Sequence, residues 1–262
     1  MKEQYGDISV TILDGYVGQV EIQRGPNNFF DHPLIKDLAD CFEDIDANPD
    51  VRAIVLCSEG KHFCAGANFS SSARAQQQER SADKPNPLYT EAVRLFRSKT
   101  PIVAAIQGAA VGGGFGLAVM ADFRVICPNT RMTANFVKLG FTPGFGLTHT
   151  LPRVIGTQNA NLLFYTGRRI NGETAHEWGL GDIYTDNDNV RDAAIELARE
   201  IAANAPLAVV SVRGQMRGDL ADGVKAATDI ENTEQFRLQK TADHKEGVKA
   251  VSERRPGNFT GS

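Results

Sequence analysis

The sequence predicts an α/β core followed by a helical extension, on three observations. Strand-like and helix-like segments alternate through the first part of the chain. Two glycine turns each follow a continuous apolar run, the signature of strands buried on both faces. Beyond Asn204-Ala205-Pro206 almost every segment has helical spacing. These observations divide the chain into a core over residues 1–204 and a helical region over residues 205–262.

The elements follow in order. ISVTIL and VGQVEI alternate around Asp14-Gly15, a hairpin turn signal. After the loop RGPNNF, Asp31 can cap a helix that carries Pro33 in its first turn. Leu34, Ile35, Leu38, Phe42 and Ile45 form that helix's apolar stripe. Asn48-Pro49-Asp50 ends the segment, and VRAIVL reads as a buried strand. The loop SEGKHFCAGANFSSS and a polar stretch, Arg74 to Pro87, come next. A helix from Leu88 to Arg97 returns the chain to the strand IVAAI. That strand, a glycine turn and a helix through Met120 form one unit, and FRVIC is a further strand. Gly140 to Gly146 is a proline- and glycine-rich loop, with helix from Leu147 onward. In the extension, VKAATDIENTEQFRLQ and HKEGVKAVSERR both have helical spacing.

Composition narrows the function. A chain of 262 residues that is 42% hydrophobic can bury a substantial core, which argues against disorder. The formal net charge of -4 argues against a nucleic-acid partner. Cys41, Cys57, Cys64 and Cys127 each sit in an apolar run without CxxC spacing, so they read as buried free thiols, and no metal site is expected. The polar start MKEQYGDISV lacks an apolar core, so a cytoplasmic location is expected. The apolar stretch from Pro101 to Asp122 is long enough to span a bilayer, but Gln107 and its glycines fit a strand, turn and helix better, and no membrane partner is expected.

Two turns carry the chemistry. In GAAVGGGFG, the backbone of Gly112 to Gly114 lacks Cβ atoms and opens a helix, where unpaired N–H groups and the helix dipole favour negative charge. Such a turn can hold a phosphate or a developing oxyanion, or it can merely pack a helix against a strand. No Gly-Lys-Ser/Thr follows, so it is not a P-loop, and Leu117 stands where a dinucleotide fingerprint needs its third glycine. The second turn is HFCAGAN.

Together the two turns resemble the enoyl-CoA hydratase/isomerase (crotonase) family. Lys61-His62-Phe63-Cys64-Ala65-Gly66-Ala67-Asn68 resembles its K-x-F-x-A-G-A-(D/N), and Gly108 to Gly114 its G-x-x-x-G-G-G. MADFRV, KLGFTPGFGLTHTLPRVIG, YTGRRINGETAHEWGLGD and EGVKAVSERRPGNFTG resemble later family segments in the same order. The resemblance implies a crotonase-like spiral of repeated ββα units with a helical C-terminal region that builds trimers or dimers of trimers. It implies an acyl-CoA thioester as partner, with coenzyme A part of the substrate and no tightly bound cofactor. The oxyanion donors would be the backbone N–H groups of Ala67 and Gly113. CoA contacts would fall on Asn28, Phe29, Ala65, Gly66, Asn68 and Arg254, with Gly112 beside the thioester.

The sequence departs from that family at its acid–base positions. The two glutamates of the hydratases fall on Gly116 and Phe136, and the carboxylate of the isomerases falls on Gly144. Neither glycine nor phenylalanine transfers protons. The region of Gly116, Phe136, Phe141, Gly144 and Phe145 is then expected to be an open apolar acyl pocket. His149 is the acid–base candidate; His62, Tyr89, Glu91, Glu79 and Asp83 are further groups near the turns. The expected function is an acyl-CoA enzyme working through a thioester enolate, as in isomerisation, decarboxylation or carbon–carbon hydrolysis. The alternatives are a non-catalytic acyl-CoA binder and, against the glycine spacings, a nucleotide-binding protein.

Overall fold

A computed structural model describes residues 1–67 and 84–262. The chain builds a seven-stranded sheet: β1 (Gln4–Tyr5), β2 (Ile8–Leu13), β3 (Val17–Ile22), β4 (Ala53–Ser58), β5 (Ile102–Ile106), β7 (Phe123–Ile126) and β10 (Ile183–Tyr184), adjacent in that order. The β2–β3 hairpin is antiparallel, and every pairing from β3 to β10 is parallel. A second sheet joins three short strands, β6 (Ala109–Val111), β8 (Arg131–Thr133) and β9 (Arg169–Asn171). The glycine-rich segment therefore begins as a strand, and the short pairings that hold it are additions to the sequence-based reading.

The large sheet is buried on both faces, which explains its near-continuous apolar strands. Ile54 and Leu56 face a core shared with α1 (His32–Asp46), α2 (Pro87–Arg97) and α3 (Gly113–Met120). Ala53, Val55 and Cys57 face α6 (Val190–Ala202), whose Val190, Ala194, Ala198 and Ala202 form a small-residue stripe every fourth position. All four cysteines are buried free thiols. At α1 the cap is as expected: the Asp31 carboxylate accepts from the Leu34 N–H at 3.0 Å.

Between these elements lie α4 (Leu147–Thr166) and α5 (Gly172–Glu177). Helices α7 (Pro206–Arg217), α8 (Leu220–Leu238) and α9 (Ala242–Ser252) end the chain. Asp122, just after α3, accepts from the guanidinium Nε of both Arg213 and Arg217 at 2.9 Å, tying α7 to the core. Helix α8 packs across α2 and α4. Among the described residues, no helix is long and apolar enough to cross a membrane.

Candidate active site

The backbone brings the two glycine turns side by side. Cys64 and Ala110 form a parallel bridge, in which the Cys64 N–H donates to Ala109 O at 2.9 Å and the Val111 N–H donates to Cys64 O at 3.0 Å. Ala67 and Gly113 each lie three residues beyond a member of that pair. Among the described residues, nothing accepts a hydrogen bond from the N–H of Ala67 or of Gly113. Gly113 opens α3, an eight-residue helix buried on every side, where first-turn N–H groups have no partner within the helix.

The approach of the turns explains their glycines. Gly112 adopts φ 55°, ψ -119°, a conformation essentially reserved for glycine. A Cβ on Gly66 would stand 2.7 Å from Val111 O, one on Gly114 would stand 2.4 Å from Cys64 O, and one on Gly113 would stand 2.1 Å from the Phe30 ring. The groups that crowd the turns are thus backbone carbonyls, the Phe30 ring and the Cys64 side chain.

The space opposite α3 is filled, which corrects the expectation of an open pocket. A Cβ on Gly116 would lie 2.7 Å from Phe145 Cβ and 2.8 Å from its Cδ1. Phe145 is 1% exposed, adopts φ 63°, and stacks edge-on with Phe30 at 6.1 Å between centroids. A phenylalanine in the left-handed region is strained, so the surrounding packing must hold it there. At Gly144 the missing side chain is replaced by the Tyr89 phenol, whose oxygen lies 2.2 Å from the Cβ position. Phe136 reaches to 3.7 Å of the Cβ position of Gly112 and packs edge-on against Phe141.

Two polar side chains from α8, not anticipated in the sequence, hold the loop that carries Phe145. Glu231 is 2% exposed and accepts from the Gly146 N–H at 2.8 Å and from the Thr148 hydroxyl at 2.7 Å. It caps α4 from another helix, and burial pushes its carboxyl above the ordinary range despite those donors. Gln235, also buried, donates from Nε2 to Thr142 O and Pro143 O and accepts the Tyr89 hydroxyl on Oε1 at 2.9 Å.

The profile of the enoyl-CoA hydratase/isomerase family matches residues 14–262. The chain belongs to that family. It is 29% identical to the 1,2-epoxyphenylacetyl-CoA isomerase of Escherichia coli K12, over 89% of this chain and 90% of that protein. It is also 29% identical to the bacillaene synthase decarboxylase PksI of Bacillus subtilis, over 89% and 92%. The crystal structure of an enoyl-CoA hydratase/isomerase from Pseudoalteromonas atlantica T6c superposes with a TM-score of 0.85 at 25% identity, over 97% of this chain and 100% of that one. Relatives of comparable identity carry the names of hydratases and dehydratases as well.

Within this enoyl-CoA hydratase/isomerase fold, the other expected residues fall as follows. Asn28 is fully buried and its side chain is internal: Nδ2 donates to Glu59 O and His62 O, and Oδ1 accepts from the Arg24 N–H. Phe29 is half-buried, and Ala65 donates its N–H to Asn27 O at 2.9 Å. Asn68, Glu79 and Asp83 lie outside the described residues. Arg254 is exposed just beyond α9, at φ 55°.

His149 lies in the first turn of α4. Its Nε2 lies 2.4 Å from the Cβ position of Gly223, in the first turn of α8, and is buried without a hydrogen-bond partner. Gly223 and Gln235 are twelve residues apart in one helix, about 18 Å of rise, so the imidazole packs far along α8 from Gly144. His62 accepts the Ala109 N–H on Nδ1, and burial lowers its pKa, so it braces the turn as a neutral ring. Glu91 pairs with Arg94, which also binds Asp40 and Glu43 of α1.

Proposed function

We propose that this protein is an acyl-CoA enzyme that holds the thioester oxygen between the N–H groups of Ala67 and Gly113. It stabilises an enolate generated without a pair of glutamates. The packing of Phe145 against Gly116 carries this reading. It leaves two backbone donors on one side of the thioester and an aromatic wall where a general acid–base carboxylate would stand. Backbone donors aimed at a developing oxyanion supply the electrostatic part of catalysis, and each is worth about 2.7–4 kcal/mol.

The reaction that best fits this residue set is decarboxylation of a malonyl-type thioester. The bond between the α-carbon and the carboxylate breaks, its electron pair passes into the thioester enolate, and CO₂ leaves. No base is needed to reach the enolate, so positions 116, 136 and 144 can do without carboxylates. The apolar wall of Phe30, Phe136 and Phe145 favours loss of charge from a carboxylate beside it, since burial penalises the charged form. The 29% identity to a protein named as a decarboxylase supports the same reaction class.

The test compares two substrates. Malonyl-CoA should be converted to acetyl-CoA and CO₂. Crotonyl-CoA hydration should run about 10²–10⁴-fold below a two-glutamate hydratase, the usual contribution of general acid–base catalysis. Hydration within about tenfold of that control, or malonyl-CoA left intact, would overturn the reading.

A further inference from the structure

An enolate that forms by loss of CO₂ must still be protonated on carbon, and the groups first expected to do this are absent or turned elsewhere. Phe145 excludes a side chain at position 116, and His149 lies against Gly223. A side chain with an acidic proton does reach the residue next to Phe145. Tyr89, at the start of α2, places its hydroxyl 2.2 Å from the Cβ position of Gly144. Gly144 precedes Phe145 in the chain, and Phe145 covers Gly116, one turn of α3 beyond Gly113. The phenol therefore stands in the volume that a residue-144 side chain would fill, beside the residue that covers Gly116.

We infer that Tyr89 is the proton donor of this site, held ready by Gln235. The inference rests on the enolate reading above. Gln235 has one geometry open to it: both backbone carbonyls of Thr142 and Pro143 take its Nε2, so Oε1 faces the phenol and accepts its O–H. This bond crosses from α2 to α8, between residues 146 apart in sequence, and it fixes the phenol without ionising it. After CO₂ leaves, the enolate's electron pair reforms the thioester carbonyl as the α-carbon takes the proton from Tyr89. The phenolate is then reprotonated from water. The bond to Gln235 that the phenol gives up for the substrate is a neutral one, a small term beside the protonation of a carbanion.

The geometry also accounts for Gly144. Any side chain there would meet both the Tyr89 oxygen and Gln235 Nε2, the latter 2.7 Å from the Cβ position. A carboxylate at 144 and a phenol at 89 are mutually exclusive occupants of one volume.

Tyr89→Phe removes the proton and keeps the ring; Gln235→Leu breaks the same tie between α2 and α8 but keeps the phenol. With malonyl-CoA as probe, Tyr89→Phe should lower kcat by about 10²-fold or more, the usual effect of losing a general acid. It should bind acetyl-CoA as tightly as the wild type does. Gln235→Leu should lower kcat by less than about tenfold, since orientation is lost but the acid remains. A Tyr89→Phe enzyme within about threefold of wild type would overturn the inference, because general-acid catalysis is worth far more. Equal losses in both variants would also overturn it, because the tie and not the proton would then matter. A wild type that binds acetyl-CoA yet releases no CO₂ defeats the enolate reading itself, and the inference falls with it.

Discussion

Gly114→Ala should cost about 3 kcal/mol of folding stability and abolish thioester binding. Its Cβ would arrive 2.4 Å from Cys64 O, 2.7 Å from Cys64 Sγ and 2.8 Å from Cys64 Cβ. Cys64 cannot retreat, because its N–H and its carbonyl are both committed to the bridge with the 109–111 strand. Relief must come from moving α3 away from the 63–67 segment, which separates the two unpaired amides. Overpacking of this kind costs about 1–3 kcal/mol where side chains can yield and more where only backbone is present. Gly214→Ala is the internal control. That glycine sits within α7 with nothing inside 4 Å of its Cβ position, so alanine there should stabilise by about 0.5–1 kcal/mol. Urea unfolding midpoints of the two variants should move in opposite directions. A neutral Gly114→Ala that still binds acetyl-CoA would show that the turns need not approach so closely.

Gly116→Glu and Phe145→Ala should each destabilise the protein, and their combined loss should fall short of the sum by about 1 kcal/mol or more. The glutamate's Cβ and the Phe145 Cβ compete for the same space at 2.7 Å, so the first variant is strained. Phe145 cannot swing aside, being wedged between the Phe30 and Phe96 rings at 6.1 and 6.5 Å. Removing the phenyl ring opens a cavity worth about 3–5 kcal/mol. In the double variant the new side chain takes up part of that cavity. Strictly additive losses, read from denaturant titrations, would mean that Phe145 is not what excludes a carboxylate from position 116.

How far the sequence could be read depended on whether the information was local. The β2–β3 hairpin, the Asp31 cap with Pro33, and the helix starting at Leu147 each follow from a few adjacent residues, and each is present. The two glycine turns were legible because the need for small residues is written into the backbone contacts themselves. The second sheet was not legible: its three strands have three residues each and pair across long stretches of chain, so no alternation could develop. Helix α8 was legible as a helix from its spacing, but its inward face was not. Its buried positions Val224, Thr228, Glu231 and Gln235 keep helical spacing, but most are polar, and a search for apolar periodicity passes over them. Glu231 and Gln235 acquire meaning only opposite the loop at 142–148, nearly ninety residues earlier in the chain. The filling of the Gly116 and Gly144 volumes was hidden for the same reason, since Tyr89 arrives from a distant helix and Phe145 from a strained turn.

The central claim is that the Ala67 and Gly113 N–H groups grip a thioester carbonyl. The most direct measurement is the isotope-edited infrared stretch of a carbonyl-labelled acetyl-CoA bound to the protein. Two backbone donors polarise the C=O bond more strongly than water does, so the band should move to lower frequency on binding. A bound thioester whose carbonyl band stays at its frequency in water, or moves higher, would contradict the account.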